Sequence, residues 1–239
     1  MEIIAKDIRK GNLILVNCDH PLYQDDQSDL VYCNEKVRIK SIVYQLIENI
    51  KEKLQMQDDV VYVSGFRSFA YQKKLYDDTL AKHGSEYTQK FVAKEGCSEH
   101  NTGLAIDLGE KLANIDYICP YLPYDGKFAQ FRKELLAHGF IERYLETKQE
   151  ITKIAKEPWH FRYVGYPHSL IMAENDWCLE EYHQQLLKYD HQHPLCYRQC
   201  QIFYLPKGER VSVDANCYQI SGNNSDGCIV TLFMVDGDE

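Results

Sequence analysis

The chain lacks any apolar run long enough to cross a membrane. Charges at Glu2, Lys6, Asp7, Arg9 and Lys10 also interrupt any signal-peptide apolar region at its start, so a cytoplasmic protein is expected. Clusters of Lys and Arg are missing too. With a formal net charge of −9, that argues against a sequence-independent nucleic-acid binder, because phosphate binding depends on grouped cations. No internal repeat or low-complexity tract stands out. The two-histidine helix pattern of the zincins is likewise absent. Nine cysteines, an odd number scattered through the chain, favour reduced thiols over a disulfide framework. Cys18, Cys97 and Cys119 read as small, partly buried side chains.

What is present is the composition of a globular protein, with 44% hydrophobic residues and mixed charge over 239 residues. Asn12 to Asn17 reads as a short strand or extended segment. Apolar positions from Val37 to Leu54 recur at helical spacing, which predicts a helix between Glu35 and Gln55 with one buried face. Asp59 to Ser64 is β-branched and aromatic and stops at Gly65, so it predicts a strand with Arg67 just beyond its end. A helix from Ser68 to His83 follows, with Gly84 as terminator, and then a short one over Glu86 to Lys94.

Gly103 to Leu108 predicts a central strand carrying Asp107. Phe128 to His138 predicts a helix stopped by Gly139. Trp159 to Val164 predicts a strand with Pro158 at its first position, holding Glu157 in an extended approach. After Pro167 the chain reads as mostly helical to Tyr189, with a break near Asn175 and Asp176. Beyond that, strand-like runs at Gln201 to Leu205, Arg210 to Asp214 and Ile229 to Val235 alternate with turns. The expected organisation is a main domain over residues 1–189 and a β-rich C-terminal extension over 190–239.

The chemistry concentrates in Ser98-Glu-His-Asn-Thr-Gly-Leu-Ala-Ile-Asp107 and Glu157-Pro-Trp-His160. Two imidazoles and one carboxylate from His100, His160 and Asp107 suit a catalytic zinc, which keeps one position open, and a carboxylate left over would activate water there. Taken singly, each residue has a plainer reading. His100 fits a turn, His160 a core histidine bonded to a carbonyl, Glu157 a surface partner of Lys153 or Lys156, and Arg67 an exposed guanidinium. Asp107 is harder to dismiss. In an apolar strand an unpaired carboxylate costs several kcal/mol, so it requires a cation or donors. Gln72 either hydrogen-bonds substrate or faces solvent.

Ser64-Gly-Phe-Arg-Ser68 with Gln72, then Ser98-x-His-x-x-Gly-x-Ala-x-Asp107, then Glu157-Pro-Trp-His160-Phe, together resemble the D-alanyl-D-alanine metallopeptidase family. The likeness covers about residues 55–185 and is nearest the combined VanXY type, which unites VanX dipeptidase with VanY carboxypeptidase action. It implies an α+β fold, with a mainly antiparallel sheet packed against helices, and one catalytic zinc ion bound by His100, Asp107 and His160. Glu157 is then the catalytic base, Arg67 stabilises the transition state, and Ser98 and Gln72 contact substrate. The implied substrates are D-Ala-D-Ala and the D-Ala terminus of muramyl-pentapeptide precursors, whose removal confers vancomycin resistance. Two alternatives stay open: a non-catalytic metal-binding module of the same fold, and a peptidase for another cell-wall peptide. The β-rich extension departs from the family pattern, and its Cys196, Cys200, Cys217 and Cys228 read as a structural zinc site or as packing thiols.

Overall fold

A computed structural model describes residues 1–234, which fall into two compact units. One is Val16–Leu170. The other joins Met1–Leu15 to the chain from Ile171 onward, and it opens with strand β1 (Glu2–Ile4). The β-rich region after residue 189 therefore shares its unit with the first fifteen residues and the helices that precede it.

In the Val16–Leu170 unit, β2 (Leu30–Tyr32) and β3 (Arg38–Lys40) form an antiparallel hairpin. Asn34 ties its turn, with Oδ1 accepting the backbone N–H groups of Lys36 and Val37 at 2.9 and 2.8 Å. The helix expected from Glu35 consequently begins only at Ser41, as α1 (Ser41–Lys53). Val37 and Ile39 are buried strand residues, and two apolar positions two apart at the edge of a helical pattern do not distinguish the two periods. The segment Asn12 to Asn17, expected as a short strand or an extended segment, joins no ladder, although Leu13 to Val16 are buried.

The next elements are β4 (Val60–Ser64), α2 (Phe69–Phe91), a 3-10 turn at Glu99–Thr102, β5 (Ala105–Glu110), α3 (Gly126–Ala137) and β6 (Phe140–Glu142). The short α4 (Gln149–Thr152) and β7 (His160–Tyr163) complete the unit. Four strands make one antiparallel sheet in the order β4-β5-β7-β6. Its core face meets α1 and α3: Val43, Ile47 and Ile50 pack with Phe128, Phe131 and Leu135 over Ile106, Leu108 and Phe161. Burial of each such side chain contributes about 1.5–3 kcal/mol, which makes this sheet a firm platform for whatever its other face carries.

Helices α5 (His168–Glu174) and α6 (Leu179–Leu186) flank the expected break, where Asp176 takes a positive φ of 52°. In the second unit, β8 (Leu195–Tyr197), β9 (Cys200–Pro206), β11 (Cys217–Gly222) and β12 (Gly227–Phe233) form an antiparallel sheet in the order β11-β12-β9-β8. Strand β10 (Arg210–Ser212) pairs instead with β1. Ile3, Phe203, Leu205, Val211 and Val230 close its core. Of the strand expected over Ile229 to Val235, Val235 lies outside the described residues.

Candidate metal centre

Register brings the ligand candidates together. Asp107 on β5 lies directly across from His160 on β7 and, on its other side, from Ser64 on β4. Directly opposed residues in an antiparallel pair have side chains only about 4.5–5.5 Å apart at Cβ, so the acid and the imidazole necessarily meet. His160 Nδ1 is 2.9 Å from Asp107 Oδ1. His100 arrives from the 3-10 turn just before β5, with Nε2 3.3 Å from Asp107 Oδ2. That turn closes through Gly103, whose φ of 70° is left-handed and where a Cβ would lie 2.9 Å from a Leu30 methyl.

One donor atom from each of His100, Asp107 and His160 can be chosen so that all lie within 4.8 Å of one another. Ligands on one tetrahedral zinc at about 2.0–2.1 Å would sit roughly 3.3 Å apart, close to the separations found here. The three can hold a metal ion, and among the described residues they are the only such set. The cysteines of the C-terminal strands do not converge as one: Cys200 and Cys228 are buried whereas Cys196 and Cys217 are exposed. Cys18 and Cys119 are exposed as well, contrary to their expected partial burial.

The ring nitrogens facing away from the donor cluster fix the imidazoles. His100 Nδ1 donates to the Gly65 carbonyl at 2.7 Å, which leaves Nε2 as the lone pair. Gly65 can serve only as glycine, since a Cβ there would approach the Arg38 carbonyl oxygen to 2.3 Å. His160 Nε2 donates to Glu99 Oε2 at 3.3 Å, and Tyr144 stacks on the ring at 5.4 Å. Glu99 is itself buried between Arg162, 3.0 Å from Oε1, and Arg143, 3.3 Å from Oε2. Sequence reasoning missed Glu99, Arg143 and Arg162. The available signals were Glu99 beside a ligand candidate and Arg162 sharing the His160 face of its strand.

Electrostatics follow the same plan. Burial, joined by the Arg67 charge, lowers His100 to about 4, so this ring is a neutral ligand at neutral pH. Burial would lower His160 as well, but its bonds to Asp107 and Glu99 outweigh that and raise it to about 9. Asp107 overcomes its own burial through the His100 and His160 contacts and is held well below the usual carboxylate range. Glu99 is held low likewise by Arg143 and Arg162.

Glu157 departs from the expected extended approach. The His160 amide donates to the Glu157 carbonyl at 3.1 Å, closing a four-residue turn with Pro158 second, where a fixed φ is favourable. Strand β7 accordingly begins at His160 and not at Trp159. The turn brings Glu157 Oε2 to 3.9 Å from His160 Nδ1. Burial pushes this carboxyl up to about 7, partly opposed by His160.

Arg67 is no surface guanidinium. Its Nε, Nη1 and Nη2 donate to Ser64 Oγ, Gln72 Oε1 and Asp107 Oδ2 at 3.2, 3.2 and 3.4 Å. Three of its five N–H groups are thereby engaged and two remain for a ligand. Gln72 is fully buried and spans from Arg67 to the Ala93 carbonyl, at 2.7 Å. Ser98 is buried too, and its Oγ accepts the His100 amide at the start of the 3-10 turn. Asn101 braces both segments, donating to the Arg67 carbonyl and accepting from the Gly96 amide. Beside these groups opens a cavity of about 650 Å³, lined by Ser64, Arg67, Asp107, Glu157 and Trp159 and by one side of α2.

Residues 36–166 match the family model described as VanY, D-alanyl-D-alanine carboxypeptidase. A bifunctional D-Ala-D-Ala dipeptidase and carboxypeptidase, VanXYC of Enterococcus gallinarum, is 39% identical over 181 residues, covering 74% of this chain and 95% of its own. Among solved structures, the vancomycin-resistance D,D-dipeptidase VanXYg in complex with a D-Ala-D-Ala phosphinate analogue is 42% identical, covers 98% of both chains and superposes with a TM-score of 0.92. A D,D-pentapeptidase VanY variant from a VanB-type resistance cassette, in complex with Zn(II), is 27% identical over 72% of this chain and 98% of its own, with a TM-score of 0.58.

Proposed function

The chain belongs to the VanY family of D-alanyl-D-alanine carboxypeptidases, and on that premise we propose that it is a zinc-dependent D,D-peptidase. It hydrolyses the D-Ala-D-Ala dipeptide and removes the terminal D-Ala from muramyl-pentapeptide precursors. Together these two cleavages withdraw the target of vancomycin. We place the activity in the cytoplasm, where such precursors are made. No helix among the described residues is long and apolar enough to cross a membrane.

The observation that carries the reading is the convergence of His100, Asp107 and His160 with Glu157 Oε2 3.9 Å from His160 Nδ1. A bound zinc ion supplies Lewis acidity to water and to the scissile carbonyl. Glu157 takes the proton of the attacking water and returns it to the departing amine, a double duty served by a carboxyl raised to about 7. Arg67, a permanent cation with two free N–H groups, stabilises the oxyanion that forms on the carbonyl oxygen. Gln72 and Ser64 hold it on target, and Ser98 sets the turn that carries His100. A module that only bound metal would need neither a buried carboxyl beside the ligands nor a triply anchored arginine.

The test is hydrolysis of D-Ala-D-Ala, a muramyl-pentapeptide and a crosslinked wall fragment, with and without a chelator and with metal analysis. The expected result is cleavage of the first two, lost on zinc removal and restored on its return. Full activity in metal-free protein, or cleavage of the wall fragment alone, overturns the reading.

A further inference from the structure

Helix α2 is amphipathic, yet its apolar side does not enter the core. One side is charged and carries Lys73–Asp77, Lys74–Asp78 and Lys90–Glu86 pairs four residues apart. Only Gln72 and Thr88 along its length are buried. Tyr71, Leu75, Thr79, His83, Tyr87 and Phe91, recurring every fourth residue, all line the cavity beside the metal centre.

A straight helix cannot aim such a row at one place. Positions four apart drift by about 40° around the axis, so six of them sweep roughly 200° and the ends face opposite ways. The break at Gly84, with φ 79° and ψ 173°, resolves this by turning the chain back. The returning arm is pinned where Gln72 Nε2 donates to the Ala93 carbonyl at 2.7 Å. From the break along that arm, the ring of Tyr87 lies 4.7 Å from that of His83, the residue just before Gly84, and 4.7 Å from that of Phe91, centroid to centroid. Tyr87 and Phe91 each remain 36% exposed, a solvent-facing aromatic patch continuous with the site.

The cavity of about 650 Å³ is the size that holds a drug-like ligand, commonly about 300–1,000 Å³, and exceeds what two alanyl residues fill. An enzyme that removes a single terminal residue leaves only that residue on the carboxyl side of the bond. Any further substrate bound here therefore lies on the amino side. We propose that the folded-back α2 is the subsite for the peptide residues preceding the scissile D-Ala-D-Ala unit, with Tyr87 and Phe91 as its specificity-determining rings; this rests on the D,D-peptidase reading. Aromatic faces suit the task because they stack on a peptide at low entropic cost and need no matched polar partner.

The experiment compares kcat and KM on D-Ala-D-Ala and on a muramyl-pentapeptide for wild type, Tyr87→Ala, Tyr87→Phe and Phe91→Ala. Each alanine variant is expected to raise KM for the pentapeptide about tenfold, the loss of one stacked ring, while kcat/KM on the dipeptide holds. Tyr87→Phe keeps both values. Phe91→Ala carries the same expectation and decides the matter if Tyr87→Ala fails to fold. Equal losses on the two substrates, no change on either, or a wild type that cleaves the dipeptide but not the pentapeptide overturns the subsite. A wild type that cleaves neither overturns the D,D-peptidase reading itself.

Discussion

Glu99 Oε2 lies 3.3 Å from His160 Nε2, at the ring nitrogen opposite the one that meets Asp107. The imidazole is thus clamped between two carboxylates, Asp107 within the ligand cluster and Glu99 buried behind it. A carboxylate in that rear position fixes the tautomer and makes the other nitrogen a better donor.

Glu99→Gln keeps a hydrogen-bond acceptor but removes the charge, and zinc affinity is expected to fall about 10- to 100-fold, as for other outer partners of metal ligands. Isothermal titration would detect it. Glu99→Ala goes further and leaves the Arg143 and Arg162 guanidiniums buried without this carboxylate. A cost of about 3–5 kcal/mol in denaturant stability is expected from breaking so deep a pair. Unchanged zinc affinity in both variants would deny Glu99 its orienting role.

Replacing the proposed base separates chemistry from binding. Glu157→Gln is expected to lower kcat about 100- to 10,000-fold while the bound zinc stays at the wild-type level, because the side chain is not among the three ligand candidates. Parallel loss of zinc and activity would make it a ligand instead.

Arg67→Ala should lower kcat/KM by about 100- to 1,000-fold, the usual cost of one oxyanion donor. Arg67→Lys should recover little, since an ammonium cannot reach Ser64, Gln72 and Asp107 together. In Gln72→Leu the Ala93 carbonyl loses this donor, so about 1–3 kcal/mol of stability should go with a smaller kinetic loss. Normal kinetics in Gln72→Leu would show that Arg67 keeps its aim unaided.

The thiols give a pH dependence. A hydrogen bond from Cys97 lowers the Cys18 thiol to about 6, whereas burial pushes Cys33 up to about 12. The reactive species is the thiolate, so iodoacetamide labelling of Cys18 should set in at lower pH than that of an ordinary thiol, while Cys33 stays silent to strongly alkaline pH. Cys97→Ala should move the Cys18 midpoint upward. Mass spectrometry across a pH series checks both, and identical profiles for the two thiols would be inconsistent with this contact.

The site was legible where its residues carry chemistry in a fixed local frame. His100 and Asp107 sit seven apart because a 3-10 turn feeds directly into β5, and Glu157 and His160 sit three apart because they span one tight turn. Glu99 was illegible for the converse reason. A glutamate at the head of a short turn reads as solvated, and its burial arises only when β6 and β7 bring Arg143 and Arg162 from more than forty residues away. The fold shows the same division. Long periodic stretches such as α1 and α3 declared themselves, as did the β-rich run of β9 and β12. The start of α1 was misjudged because Val37 and Ile39 fit either period, whereas Gly84 ends one helical stretch with its expected left-handed φ of 79° before a second begins.

Among the described residues, strand β1 pairs with β10 alone, with Glu2 opposite Ser212 and Ile4 opposite Arg210. During synthesis, β1 must therefore wait for β10, which follows the whole of Val16–Leu170, whereas Val16–Leu170 already contains every strand of its own sheet. Vectorial synthesis favours completion of the sheet that carries Asp107 and His160 first, and β1 remains an unpaired edge until more than two hundred further residues have been added.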